Sequence, residues 1–400
     1  VTGTALADFN DFVEGTGPTY VTGPKSLINE AVKNTYWFGR LIQGAKAKKK
    51  MIQGGANLRE SIIFQDNGTF ETYLPGANHD WKNPQRLNKI QVEWRYTLAH
   101  MAWVEQEILN NEIVSYGTDD AKFHEYVNIR NEKETLMWTA KWNGLEDLLW
   151  AQPNVNTMEA TDGTEPNSIP VFINQDTDGL WGAGHAGSPT GDYTGSTVEG
   201  LDPTASAVNS RFTPQTATYS TLDNAASTGL FPAFDDMFMD VQFDQPPTMK
   251  MYWEDPRYNK QMIVTTKAGR KNYMGILRTT QDHFIAGAQD PAYPDPMFNG
   301  IPVSRASTLE TATLYEDAVS GAVTTEDDAA GTTGFTGPRY YWVNAEYLYP
   351  VFHAQRYFYK HEVTKHHNVP DTWVCPVATW YNLICTSRQR QGIIYPNGNV

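Results

Sequence analysis

The sequence predicts an α+β fold, and three features predict it: a long alternating hairpin, one very long amphipathic helix, and strand-rich segments late in the chain. The hairpin rises through Ser61-Ile-Ile-Phe64 and Phe70-Glu-Thr-Tyr-Leu74 and turns at Pro75-Gly76-Ala77-Asn78. It returns through Ile90, Val92, Trp94, Tyr96 and Leu98, with Gln91, Glu93, Arg95, Thr97 and Ala99 between them. Period-two alternation is what a strand with one wet face produces, so the first five residues should share a face. Two strands alone are marginal in water, and an arm of about forty residues needs a surface outside itself. In a monomer such an arm would be an exposed edge. In a subunit that overlaps its neighbours it would be the gripping part, with Phe70, Tyr73, Leu74 and Trp81 as its apolar contacts.

The helix follows directly. Thr118 and Asp119 are suitable caps, and no proline intervenes before Pro153. Phe123, Tyr126, Leu136, Trp142, Leu145 and Leu149 recur at spacings near three and four, opposite Lys122, Glu125, Arg130 and Glu132. The pattern predicts a helix over about 119–151, roughly 50 Å long at 1.5 Å per residue. That is far beyond the usual globular length of about 11 to 12 residues.

The remaining elements are read in order. Residues 1–30 form a Gly/Thr-rich arm, and a short helical pattern over 26–43 runs through Leu27, Ala31, Trp37, Phe38 and Leu41. Residues 157–229 are loop-like, with Ser168-Ile-Pro-Val-Phe-Ile173 as their strand. Phe234, Met237, Phe238 and Val241 predict a helix that ends before Pro246-Pro247, with Asp236, Asp240 and Asp244 at helical spacing on it. A strand at Gln261-Met-Ile-Val-Thr265, a helix over 267–279 and a strand at Gly300-Ile-Pro-Val-Ser304 come next. Residues 318–337 read as an acidic loop, and strands follow at 340–343, 351–359 and 372–386, with a turn at Pro370-Asp371.

Composition narrows the function. Lys plus Arg is 31 and Asp plus Glu is 46 in 400 residues, a net charge of −15. That balance opposes sequence-independent nucleic-acid binding, which needs clustered cations. The one basic run is Lys46, Lys48, Lys49 and Lys50, which suits a solvated turn or the acidic surface of a neighbouring subunit. No apolar run is long enough to cross a bilayer. Two cysteines, Cys375 and Cys385, are too few for a disulfide scaffold and lack the spacing of a zinc site.

Apparent catalytic motifs dissolve on inspection. Gly17 to Ser26 has five residues between its glycines and a proline where a phosphate loop needs a donor. His361, His366 and His367 lack the four-residue spacing that puts two histidines on one helix face, and they read as a hairpin tip. No catalytic residue, cofactor or metal ligand is expected. The aromatic richness, including Trp81, Trp94, Trp103, Trp138, Trp142 and Trp150, admits one alternative, a carbohydrate-binding or hydrolytic domain.

The order of arm, hairpin, long helix, loop-rich region and paired late strands resembles the major capsid proteins of tailed bacteriophages, with the Hong Kong ninety-seven type of fold. Ser168-Ile-Pro-Val-Phe, Gln261-Met-Ile-Val-Thr-Thr266, Phe298-Asn-Gly-Ile-Pro-Val303 and the segment from Trp380 to Pro396 also look like that family. The resemblance implies an N-terminal arm and short helix over 1–45 and an extended loop over 46–98. It implies a peripheral domain of 99–155 and 346–387 around a spine helix, and an axial domain of 156–345 and 388–400. It further implies self-assembly through hexamers and pentamers into an icosahedral shell around double-stranded DNA, with no membrane. Separate scaffolding, portal and decoration proteins would be partners, and the virion, assembled in the host cytoplasm, would be the location.

Overall fold

The structure is a computed structural model describing residues 31, 36–44, 50–62, 72, 88–105, 129–151, 158, 163–174, 197–203, 209–223, 226–242, 261–280, 296–310, 313–316, 323–325, 338–369 and 371–396. The chain divides into two compact units. One comprises residues 1–33, 97–144 and 355–379; the other comprises 34–96, 145–354 and 380–400.

Helix α1 (Trp37–Gly44) buries Trp37, Phe38 and Leu41, as their spacing predicts. Strand β1 (Lys50–Ile52) leads to Gly54 and Gly55, whose φ values of 80° and 93° suit glycine and turn the chain. Strand β2 (Asn57–Ile62) then pairs antiparallel with β3 (Asn88–Glu93), Asn57 opposite Glu93 and Ile62 opposite Asn88. These are the two legs of the hairpin at its base. Strand β4 (Arg95–Val104) follows, then helix α2 (Ile129–Leu149), the longest described helix at 21 residues. The expected caps at Thr118 and Asp119 lie outside the described residues.

Next come α3 (Ile169–Phe172), β5 (Gln215–Tyr219), α4 (Leu230–Val241), β6 (Gln261–Thr265) and α5 (Lys267–Thr280). Strands β7 (Met297–Phe298) and β8 (Ile301–Arg305) precede a small ribbon of β9 (Thr313–Glu316) and β10 (Val323–Thr325). The chain continues with β11 (Tyr340–Asn344), β12 (Leu348–His353), β13 (Tyr359–Lys360), β14 (Thr364–Lys365), β15 (Thr372–Cys385) and β16 (Gly392–Pro396).

The larger unit is built on a mixed sheet of order β5-β16-β11-β6-β8-β7. Every residue of β11 is buried, as expected of a strand covered on both faces. On one face Tyr340 and Trp342 meet Phe234 of α4, with Tyr273 of α5 stacked on Phe234 at 5.4 Å. On the other face Tyr341 packs edge-on against Trp150 at 5.6 Å. Burial pushes the hydroxyls of Tyr273 and Tyr340 well above the ordinary tyrosine range. Gly392 lies so close to the side chain of Met237 on α4 that a Cβ there would sit 2.1 Å from Sδ, so any larger residue would have to displace that methionine. In the same unit β1 runs parallel to β12, and β12 is antiparallel to the second half of β15.

The smaller unit packs part of α2 on β4, β13, β14 and the first half of β15. Its core is Met101, Trp103, Met137, Cys375 and Val377.

Several expectations are corrected. Ser168–Ile173 is not a strand: residues 169–172 form one buried helical turn, closed by Ile173 N–H donating to the Ile169 carbonyl. Pro170 fits a first helical turn, where its missing N–H costs nothing, and the buried Arg388 binds the Phe172 carbonyl at 2.9 Å. Residues 351–359 are not one strand, because β12 ends at His353 and the short 3-10 turn Ala354–Arg356 intervenes. Leu136 is 51 % exposed; the buried positions of α2 follow Met137, Lys141, Leu145 and Leu149 instead. The stretches read as loops contain β5 and also β10, which pairs with β9 just before the second of them.

Candidate assembly surfaces

The hairpin's return leg behaves as its alternation predicts as far as Trp94. Ile90 and Val92 are buried while Lys89 and Gln91 are exposed. Trp94 is buried, donating its indole N–H to the Gly55 carbonyl at 2.9 Å and packing edge-on against His353. Arg95, the next residue, is buried as well. Its guanidinium reaches the Glu165 carbonyl at 3.1 Å, the Met158 carbonyl at 2.7 Å and the Glu93 carboxylate at 3.4 Å. Two consecutive inward residues reverse the alternation, since a one-residue slip moves every later side chain to the other face. Tyr96 and Leu98, expected on the face of Ile90, are therefore 61 % and 64 % exposed. Tyr96 lies edge-on against Trp380 at 4.8 Å, with its other side open. Among the described residues these are two of the three most exposed large apolar side chains.

In the smaller unit, α2 presents a lysine where its buried stripe calls for an apolar residue. Lys141 Nζ donates to the Thr97 carbonyl and Oγ1, both at 3.0 Å, and to the Val377 carbonyl at 3.4 Å. Thr97 Oγ1 donates in turn to the Thr379 carbonyl at 3.1 Å. Burial pushes the Lys141 ammonium down to about 8 from its usual range. Beside it Trp142 stacks on Phe358 at 5.3 Å, and Lys360 pairs with Glu134.

Of the residues the sequence singled out, Lys46, Lys48, Lys49, Phe70, Tyr73, Leu74 and Trp81 lie outside the described residues. Lys50 opens β1, its backbone opposite Val351. Asp236 and Asp240 are exposed on α4, while Asp244 lies outside the described residues. His366 and His367 lie in the turn between β14 and β15, as the hairpin-tip reading expects, whereas His361 sits between β13 and β14 with its N–H on the Pro376 carbonyl. His366 N–H donates to the Thr372 carbonyl and its ring accepts from Asn368, while His361 lies against Tyr359. Among the described residues no group of three His, Cys, Asp or Glu could hold a metal ion, and no helix is long and apolar enough to cross a membrane. Cys375 and Cys385 are buried free thiols, and burial, with the nearby Glu199 carboxylate, pushes Cys385 upward. Trp94, Trp103 and Trp150 are core residues rather than the walls of a sugar cleft.

One feature carried no sequence signal. A groove of about 440 Å³ runs along β5 beneath α4, lined by Thr216, Thr218, Ser220, Asp236, Met239 and Asp240 among others. Its strand lies in a stretch too polar to stand out from loop.

At the level of sequence, neither a protein family nor a curated protein matches the chain. Solved structures do match in fold. A chain from the cyanophage A-1(L) capsid superposes with a TM-score of 0.53 at 10 % identity, over 94 % of this chain and 98 % of that one. A chain from the capsid of a native GTA particle gives 0.50 at 11 % identity, over 97 % and 98 %. The chain thus shares the fold of chains from these capsids. The likeness runs nearly end to end in both chains, so it describes the whole molecule and not a shared module.

Proposed function

We infer that this chain is a major capsid protein that self-assembles into an icosahedral shell enclosing double-stranded DNA. The observation that carries this reading is the end-to-end likeness to chains of two capsids. The exposed Tyr96 and Leu98 add to it, because shell subunits need apolar surface left for their neighbours. In this reading 46–98 is the extended loop, 99–155 and 346–387 the peripheral domain, and 156–345 with 388–400 the axial domain. The hairpin lies on an adjacent subunit through Phe70, Tyr73, Leu74 and Trp81. The protein acts by binding copies of itself and not by catalysis, within the virion, after assembly in the host cytoplasm beside scaffolding, portal and decoration proteins. Permanent interfaces of this kind bury about 2,000 Å² or more. Electron microscopy and light scattering of the purified chain test the reading. Closed particles of uniform diameter are expected; a monomer at every concentration and ionic strength would overturn it.

A further inference from the structure

Among the described residues strand β5 is an edge of the mixed sheet, bonded to β16 on one side only. Gln215 N–H donates to the Gln391 carbonyl, at the start of the parallel pairing with β16. Alternation along the strand then turns the N–H and C=O of Thr216 and Thr218 to the opposite edge. At Ser220 that edge is closed, for its N–H donates to the Thr228 carbonyl at 2.8 Å. Among the described residues Thr216 and Thr218 have no partner there, and the groove along β5 opens onto them. Its rim carries the carboxylates of Asp236 and Asp240 around Met239, which is 72 % exposed. An open edge beside a groove is the geometry that accepts an added strand, with backbone bonds giving affinity and the rim giving selectivity.

We propose that this groove receives the lysine run 46–50 of a second copy of the chain, laid as an added strand along β5 with its ammonium groups on Asp236 and Asp240. Charge argues for that occupant. Each copy carries −15, so copies repel unless their contacts are locally neutralised. The run Lys46, Lys48, Lys49 and Lys50 is the chain's one dense cationic stretch. Its last residue opens β1, which pairs with β12 of its own chain. Backbone geometry agrees, since alternate residues of an added strand point to one side and would set Lys46, Lys48 and Lys50 along one rim.

The contact rests on the shell reading, and the test separates the two. Asp236→Lys with Asp240→Lys, and separately Lys46→Glu with Lys48→Glu, should each fold as the parent does by circular dichroism. Each should cut particle yield about tenfold, and co-expression of the two reversed chains should restore it in part. Amide exchange at Thr216 and Thr218 should slow on assembly, and Lys48→Cys chains co-assembled with Met239→Cys chains should form disulfide-linked dimers. A Leu136→Cys chain, offered in place of Met239→Cys, should not. Parent particles with no change in yield, exchange or cross-linking would overturn the contact and leave the shell reading standing. A cross-link found only within single chains carrying both cysteines would overturn the assignment to a second copy. Absence of particles from the parent would overturn both.

Discussion

Lys141 sets a measurable cost inside the smaller unit. A buried ammonium held by two carbonyls and a hydroxyl keeps its proton less readily than in the unfolded chain, with its titration near 8 instead of 10.5. The folded state therefore binds fewer protons than the unfolded state between those values, and stability rises with pH across that window. Raised thiol and phenol groups such as Cys385 and Tyr381 act oppositely, losing stability as pH climbs. The comparison must therefore be between parent and Lys141→Met, by denaturant unfolding from pH 7 to 10. The parent should gain on the variant steadily above pH 8; parallel profiles would show that the ammonium is not confined as described. The sequence hid this residue, because a lysine between Ala140 and Trp142 reads as the wet side of a helix. The same holds for Arg95 and Arg388, whose buried guanidinia bind carbonyls brought close only by the fold.

At the scale of elements, periodicity was informative wherever one residue pattern extended over several turns or pleats. Helix α4, strand β6 with α5 behind it, β11 and the long β15 all lie where their apolar spacing placed them. Short segments failed for a physical reason: Ile169–Phe172 is apolar throughout, so strand and helical turn bury it equally well and tertiary bonds decide. The reversal at Trp94–Arg95 was invisible for the same kind of reason, since an arginine is ordinarily the wet member of an alternating pair. The candidate contacts on the hairpin were legible only as composition, and the β5 groove not at all. The hairpin supplies a prediction at this scale. Removing residues 68–85 should leave a soluble chain with parent-like circular dichroism, because β2 and β3 pair outside the deleted span. That chain should fail to close particles by electron microscopy. Normal particles from the shortened chain would show that the arm grips nothing essential.

For the whole molecule, acidity governs what a shell of the proposed kind can do with its contents. With 46 acidic against 31 basic side chains, few phosphates can be neutralised at once, and a container benefits from releasing what it encloses. The free subunit should bind duplex DNA weakly, with a salt dependence equivalent to only a few released counterions. Fluorescence titration at several salt concentrations would check this; tight, steeply salt-dependent binding lost on replacing Lys46, Lys48, Lys49 and Lys50 with Gln would contradict it.

The position of β16 gives the mixed sheet an order of construction. Residues 392–396 fill the place between β5, translated far earlier, and β11. Until the ribosome has released that segment, β5 has no partner strand among the described residues and the Tyr340–Trp342 core lacks one wall. Contacts so distant along the chain make the closing step slow. A chain stopped before Gly392 should remain sensitive to protease within residues 209–241, whereas one released after Pro396 should become resistant. Equal resistance of both would mean that the larger unit closes without its inserted strand.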